Sequence, residues 1–223
     1  MRAIDLLPDK LVARMSRRRG QPYAFPALDP RTTALVVIDM VQLFLQDRPE
    51  AGDVVANVNR IAKQLRALAG IVLWVRPGPA VNPDLTEAVL GAEPANRYRD
   101  AALDAVLNAY QSSLAIEARD LHTRKGLYSA FFPGDGDATA CLRARGIDSV
   151  LIAGAFTDVC VDASARDAYS AGFKTVVLAD ACIGTSAAAH RDALAAIYRN
   201  FGDVRNVSEL EVILSSRACN AGA

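Results

Sequence analysis

The chain has 223 residues and 52% hydrophobic content, which suits one compact α/β domain with a sizeable core. Its 25 basic and 25 acidic residues cancel, so no broad field recruits nucleic acid or an anionic membrane. No stretch approaches the ~20 apolar residues of a membrane helix, and residues 1–10 lack the apolar core of a signal peptide, so a cytoplasmic location is expected.

Residues 1–30, with Pro8, Pro22, Pro26 and Pro30, read as an extended N-terminal arm, and Arg17, Arg18 and Arg19 as its solvated basic surface. The domain is expected over 31–216, followed by a tail at 217–223. Within it, short β-branched runs alternate with amphipathic segments. Strands are predicted at 33–39, 71–76, 119–123, 148–153 and 174–179, with a short sixth at 203–206. Helices are predicted at 53–69, 136–145, 158–171 and 187–200, with Asp53 capping the first and Gly146 and Gly172 as stops. This alternation predicts an α/β fold: a three-layer, doubly wound, mostly parallel six-stranded sheet with right-handed crossovers. Residues 78–118, where Pro79, Pro83 and Pro94 interrupt short helical patterns such as 101–109, read equally as a lid over a site or as a packing or subunit-contact excursion.

Three side chains carry chemistry. Asp39 ends the apolar run that begins at Thr33, Lys125 precedes an aromatic segment that turns at Pro133 and Gly134, and Cys160 sits at a strand-to-helix turn. A free cysteine is often an apolar filler. At such a turn, however, backbone N–H groups and the helix dipole favour a thiolate, and a lowered thiol pKa is expected. In an open parallel sheet ligands bind outside the carboxyl ends of the strands, where Asp39 and the turn before Cys160 fall.

The remaining candidates carry less. Cys141, Cys160, Cys182 and Cys219 show no CxxC spacing, which fits a reducing compartment. Cys182, following the fifth predicted strand, reads as a buried filler or a pocket border, and Cys141 and Cys219 carry no assigned role. Trp74 reads as core. His122 reads as a strand or loop residue and His190 as a helix-surface residue, with no metal-ligand spacing between them.

Three patterns occur in order: V-I-D-M-x-x-x-F at Val37 to Phe44, K-x-x-Y-S-A-F-F-P-G at Lys125 to Gly134, and G-x-x-T-x-x-C-V at Gly154 to Val161. Together they resemble the isochorismatase-like cysteine hydrolases, a family that includes N-carbamoylsarcosine amidase, ureidoacrylate amidohydrolase and nicotinamidase, over about Thr33 to Leu214. The resemblance implies the isochorismatase-like hydrolase fold and a catalytic Asp39-Lys125-Cys160 triad. It also implies a cis peptide at Ala155-Phe156, with the backbone N–H groups of Phe156 and Cys160 as an oxyanion hole. Phe44 and Phe156 are expected in the substrate pocket. Val41 stands where the family has glutamine, with Gln42 shifted by one, which reads as substrate tuning.

What the resemblance implies in function is a cysteine-dependent amidohydrolase cleaving a small carbamoyl, ureido or primary amide compound through a thioester, releasing ammonia or an amine. An isochorismatase-type hydrolase releasing pyruvate and a non-catalytic fold relative are the alternatives. Nicotinamidases of the family hold a metal through an Asp and two His after the second strand. Here that loop, Arg76 to Asp84, has no histidine, so no metal and no cofactor are expected. The expected partners are a small-molecule substrate and further copies of the chain, as a homo-oligomer (dimer or tetramer), with no nucleic acid and no membrane.

Overall fold

The structure is a computed structural model and describes residues 2–133 and 138–220. Gly134, the expected helix start at 136–137 and the last three residues of the expected tail lie outside the described residues.

Six parallel strands form one sheet in the order β3-β2-β1-β4-β5-β6. They are β1 (Thr33–Ile38), β2 (Ile71–Pro77), β3 (Leu121–Lys125), β4 (Ser149–Ala155), β5 (Lys174–Ile183) and β6 (Asp203–Arg205). The expected doubly wound α/β fold is present. Every residue of β1 is buried, and its side chains alternate between two core layers, Ala34, Val36 and Ile38 against Leu35 and Val37. A strand covered on both faces reads as a continuous apolar run because both faces need apolar side chains.

One face packs against helices α1 (Asp9–Arg19), α6 (Ala138–Arg143), α7 (Asp162–Ser170) and α8 (Ala187–Asn200). The other packs against α2 (Gln42–Leu45), α3 (Ala51–Ala67) and α9 (Val207–Asn220). In α3, Val54, Val55, Val58, Ile61, Ala62 and Leu65 share one buried stripe at helical spacing. Each large side chain so buried contributes about 1.5–3 kcal/mol.

Several boundaries differ from expectation. The N-terminal segment is helical where an extended arm was predicted, with a 3-10 turn at Ala3–Leu6 ahead of α1. Ala3, Ile4, Leu7 and Met15 join the main core, so apolar spacing overrode the prolines that flank them. Asp53 lies in the first turn of α3 rather than at its cap, which is Glu50. Helix α9 runs through the start of the expected tail, to Asn220.

Residues 78–118 hold two helices, α4 (Pro83–Leu90) and α5 (Ala92–Leu103). Of the prolines that read as interruptions, Pro83 and Pro94 stand in first turns, where a missing N–H costs nothing, and Pro79 lies in the loop after β2. Asn82 caps α4 by accepting a hydrogen bond from Leu85 N. Residues 107–111 then run beside 40–43: Gln42 N donates to Ala109 O, Leu43 N to Leu107 O, and Gln111 N to Met40 O. Val41 is fully buried under this segment and bridges Tyr110, so the residue that departs from the family pattern packs in the core.

Candidate active site

The sheet order reverses between β1 and β4, and the carboxyl ends of these strands bound the crevice where ligands bind in such sheets. Asp39 follows β1 with φ 55°, a left-handed conformation that aspartate tolerates better than most residues. Cys160 follows β4 within a π-turn, Thr157–Val161, in which Val161 N donates to Phe156 O. Such turns are frequent at functional sites. Lys125 ends β3, two strands from β1, and its long side chain reaches across.

The three side chains meet. Lys125 Nζ lies 2.7 Å from Asp39 Oδ2 and donates to Cys160 Sγ at 3.3 Å and to Leu127 O at 3.2 Å. The ammonium is thus ion-paired with the carboxylate and donates two hydrogen bonds. Asp39 is wholly buried, and Lys125 and Cys160 are nearly so. The peptide between Ala155 and Phe156 is cis, as the resemblance implied.

Electrostatics overturn one expectation. Burial, together with the negative charge of Asp39, pushes the Cys160 thiol up to about 12, outweighing Lys125. Burial also raises the Asp39 carboxyl above the ordinary carboxylate range, against the pull of Lys125. Burial opposes the charge on Lys125, but Asp39 and Cys160 hold its pKa above the usual value. The resting site is therefore a neutral thiol beside a lysine–aspartate ion pair, not the thiolate read from the turn alone.

Phe44 and Phe156 lie together, ring centroids 5.4 Å apart and edge-on, with the Arg48 guanidinium 5.0 Å above Phe156. Tyr98 of α5 packs 5.5 Å from Phe44. Its phenol is held above the ordinary range by burial and then by the nearby Cys160 and Asp39. Tyr98 and Lys125 both line a cavity of about 280 Å³ enclosed by α4, α5 and the loop after β3.

Tyr98, Arg48 and His190 were not singled out as site residues in the sequence. His190 is half-buried rather than on the helix surface, and its Nδ1 shares a 2.7 Å hydrogen bond with the Thr157 hydroxyl. Its place just after Ser186, the residue that caps α8, was the available signal. His122 lies exposed on β3 beside Tyr110. Cys182 lies within β5, which runs past its predicted end because the register with β4 shifts between Ile152 and Gly154. Its sulfur packs against Ile152 O, inside the core. Trp74 is core, its indole N–H donating to Asp120.

Comparison with known proteins gives the family. The chain matches the isochorismatase domain family over residues 33–209. It is 33% identical over 190 residues to YecD, an uncharacterised isochorismatase family protein of Escherichia coli O157:H7, covering 82% of this chain and 96% of that one. It is 31% identical over 215 residues to ureidoacrylate amidohydrolase RutB of Methylobacterium radiotolerans, covering 84% and 81%. Among solved structures, a cysteine hydrolase from Pseudomonas syringae pv. phaseolicola superposes with a TM-score of 0.75 at 24% identity over 87% of this chain and 97% of that one, a likeness of fold. N-carbamoylsarcosine amidase from Thermoplasma acidophilum superposes with a TM-score of 0.65 at 26% identity, covering 79% and 97%. The chain belongs to the isochorismatase family of hydrolases.

Proposed function

We propose that this protein is a cysteine-dependent amidohydrolase that cleaves a C–N bond of a small carbamoyl, ureido or primary amide compound, with Asp39, Lys125 and Cys160 as its catalytic triad. The observation that carries the reading is the bridging ammonium, 2.7 Å from Asp39 and 3.3 Å from Cys160. The names of two relatives, a ureidoacrylate amidohydrolase and an N-carbamoylsarcosine amidase, support it.

The buried charges suggest how the nucleophile is made. Cys160 rests as a thiol, and Asp39, raised towards neutrality, accepts its proton as the sulfur attacks the carbonyl carbon. Lys125 offsets the negative charge throughout. The backbone N–H groups of Phe156 and Cys160 donate to the carbonyl oxygen as it becomes an oxyanion. Asp39 then gives the proton to the leaving nitrogen, the C–N bond breaks, and ammonia or an amine departs from a Cys160 thioester. Water, deprotonated by the same Asp39, cleaves the C–S bond and restores the thiol. Phe44 and Phe156 form the apolar floor beside the reacting carbonyl.

The test is a panel of small carbamoyl, ureido and primary amide compounds beside isochorismate, with ammonia and pyruvate measured separately. Ammonia from at least one amide is the expected result. Pyruvate without ammonia overturns the reading in favour of ether cleavage.

A further inference from the structure

We propose that the substrate's acyl portion is an uncharged apolar group, a straight chain of about four to six carbons or a single ring. This inference rests on the amidohydrolase reading above and names the substrate class for that site. It comes from the cavity that adjoins the triad through Lys125. Lys125 and Tyr98 line the end of that cavity nearest the sulfur, to which Lys125 donates. Outward from them it is walled by Leu85, Val89 and Leu90 of α4 and by Leu127 and Tyr128 of the loop after β3. Its volume, about 280 Å³, lies near the lower end of the ~300–1,000 Å³ of small-molecule pockets.

Charge decides against an ionic substrate. Among the described residues no carboxylate lines the cavity, so nothing there recognises a cation. Two cations line it, and both have partners. Lys125 is ion-paired with Asp39 and donates to Cys160 Sγ and Leu127 O, and Arg99, half-exposed, donates to Asn96 Oδ1 and lies 3.8 Å from Asp100. The wall's polar groups are similarly occupied: Asn82 Oδ1 caps α4, and the Thr86 hydroxyl donates to Asn82 O. A carboxylate-bearing acyl group entering here loses water and meets only Arg99, whose half-exposed guanidinium is screened by solvent. An apolar group covers Leu85 and Val89, which are 59% and 70% exposed in the free protein. Such exposed apolar side chains beside a reactive centre mark a ligand-binding surface.

The experiment is ammonia release from straight-chain primary amides, acetamide through hexanamide, with succinamate compared with its uncharged near-isostere 4-methylpentanamide. The kcat/KM is expected to rise about fourfold per methylene, the factor that corresponds to burying one CH₂. The 4-methylpentanamide is expected to exceed succinamate by at least about tenfold, since a solvent-screened Arg99 repays little of the desolvation of a carboxylate. Leu85→Asp and Val89→Asp, both at exposed positions and so compatible with folding, are expected to flatten the slope to below about twofold per methylene. Preference for acetamide or succinamate, or an unchanged slope in both variants, overturns the inference and leaves the amidohydrolase reading standing. If no amide, carbamoyl or ureido compound yields ammonia, both fall.

Discussion

The Thr157 hydroxyl and His190 Nδ1 lie 2.7 Å apart, joining the first residue of the turn that carries Cys160 to the first turns of α8. One residue on, Asp158 accepts hydrogen bonds from the backbone and hydroxyl of Thr185. The nucleophile's turn is therefore tied both to α8 and to the β5–α8 connection, although none of these bonds touches Cys160. Burial keeps the His190 pKa below its ordinary value, against Asp158, so the ring is neutral at pH 7.

His190→Ala is accordingly expected to lower kcat on the order of tenfold with little change in KM, because small misplacements of a reacting group are costly. The lost hydrogen bond also costs about 1–2 kcal/mol of stability. His190→Gln, which can still bond the hydroxyl, recovers most of the kcat. Steady-state kinetics beside thermal melts separate the two effects, and an unchanged kcat in His190→Ala removes the positioning role.

Alkylation of Cys160 by iodoacetamide reads the resting protonation state. Because burial and Asp39 push this thiol up to about 12, labelling at neutral pH is slow and rises about tenfold per pH unit well into the alkaline range. Asp39→Asn removes a charge that raises the pKa, so labelling at pH 8 accelerates even as turnover is lost. Lys125→Met removes a charge that lowers it, so labelling slows further. A rate that levels off near pH 7 in the wild type means that Cys160 rests as a thiolate.

At the opposite end of the sheet, Asp120 accepts from Arg66 Nε and Nη2, from Trp74 Nε1 and from Glu117 N. Asp120→Ala leaves the Arg66 guanidinium, only 6% exposed, without its main partner. The expected cost is about 3–5 kcal/mol, a fall in Tm on the order of 10 °C for a chain of this size. The folded fraction keeps its activity, since these residues lie at the amino end of β3. Calorimetry of the variant checks this.

Gly154 has φ +122° and lies against β1, where an added Cβ falls 1.9 Å from Ile38 O, the carbonyl just before Asp39. Gly154→Ala forces β1 and β4 apart at the point that orients both Asp39 and the Cys160 turn. A destabilisation of at least about 3 kcal/mol is expected, with loss of turnover in whatever folds. Denaturant melts with parallel assays measure both.

The sheet and the triad were legible in the sequence for physical reasons. β1 and β4 are buried on both faces, so they stand out as unbroken apolar runs, and Asp39 is conspicuous as the charge that ends one. Lys125 was visible only through its motif, because nothing local says that a lysine two strands away reaches Asp39. The region 78–118 was opaque because α4 has no buried face and α5 few buried positions, leaving no apolar stripe to read. Tyr98 was hidden there. The thiol's protonation was misread because a turn and a helix dipole are local, whereas desolvation and the charge of Asp39 depend on tertiary packing.

The central claim, that the Cys160 sulfur is the nucleophile, is tested most directly by comparing ammonia release from the best amide of the panel by wild type and Cys160→Ala, both shown folded by their melts. The account predicts a loss of at least about 10³-fold in kcat/KM, in keeping with removal of a covalent nucleophile. Release by Cys160→Ala within about tenfold of wild type contradicts it.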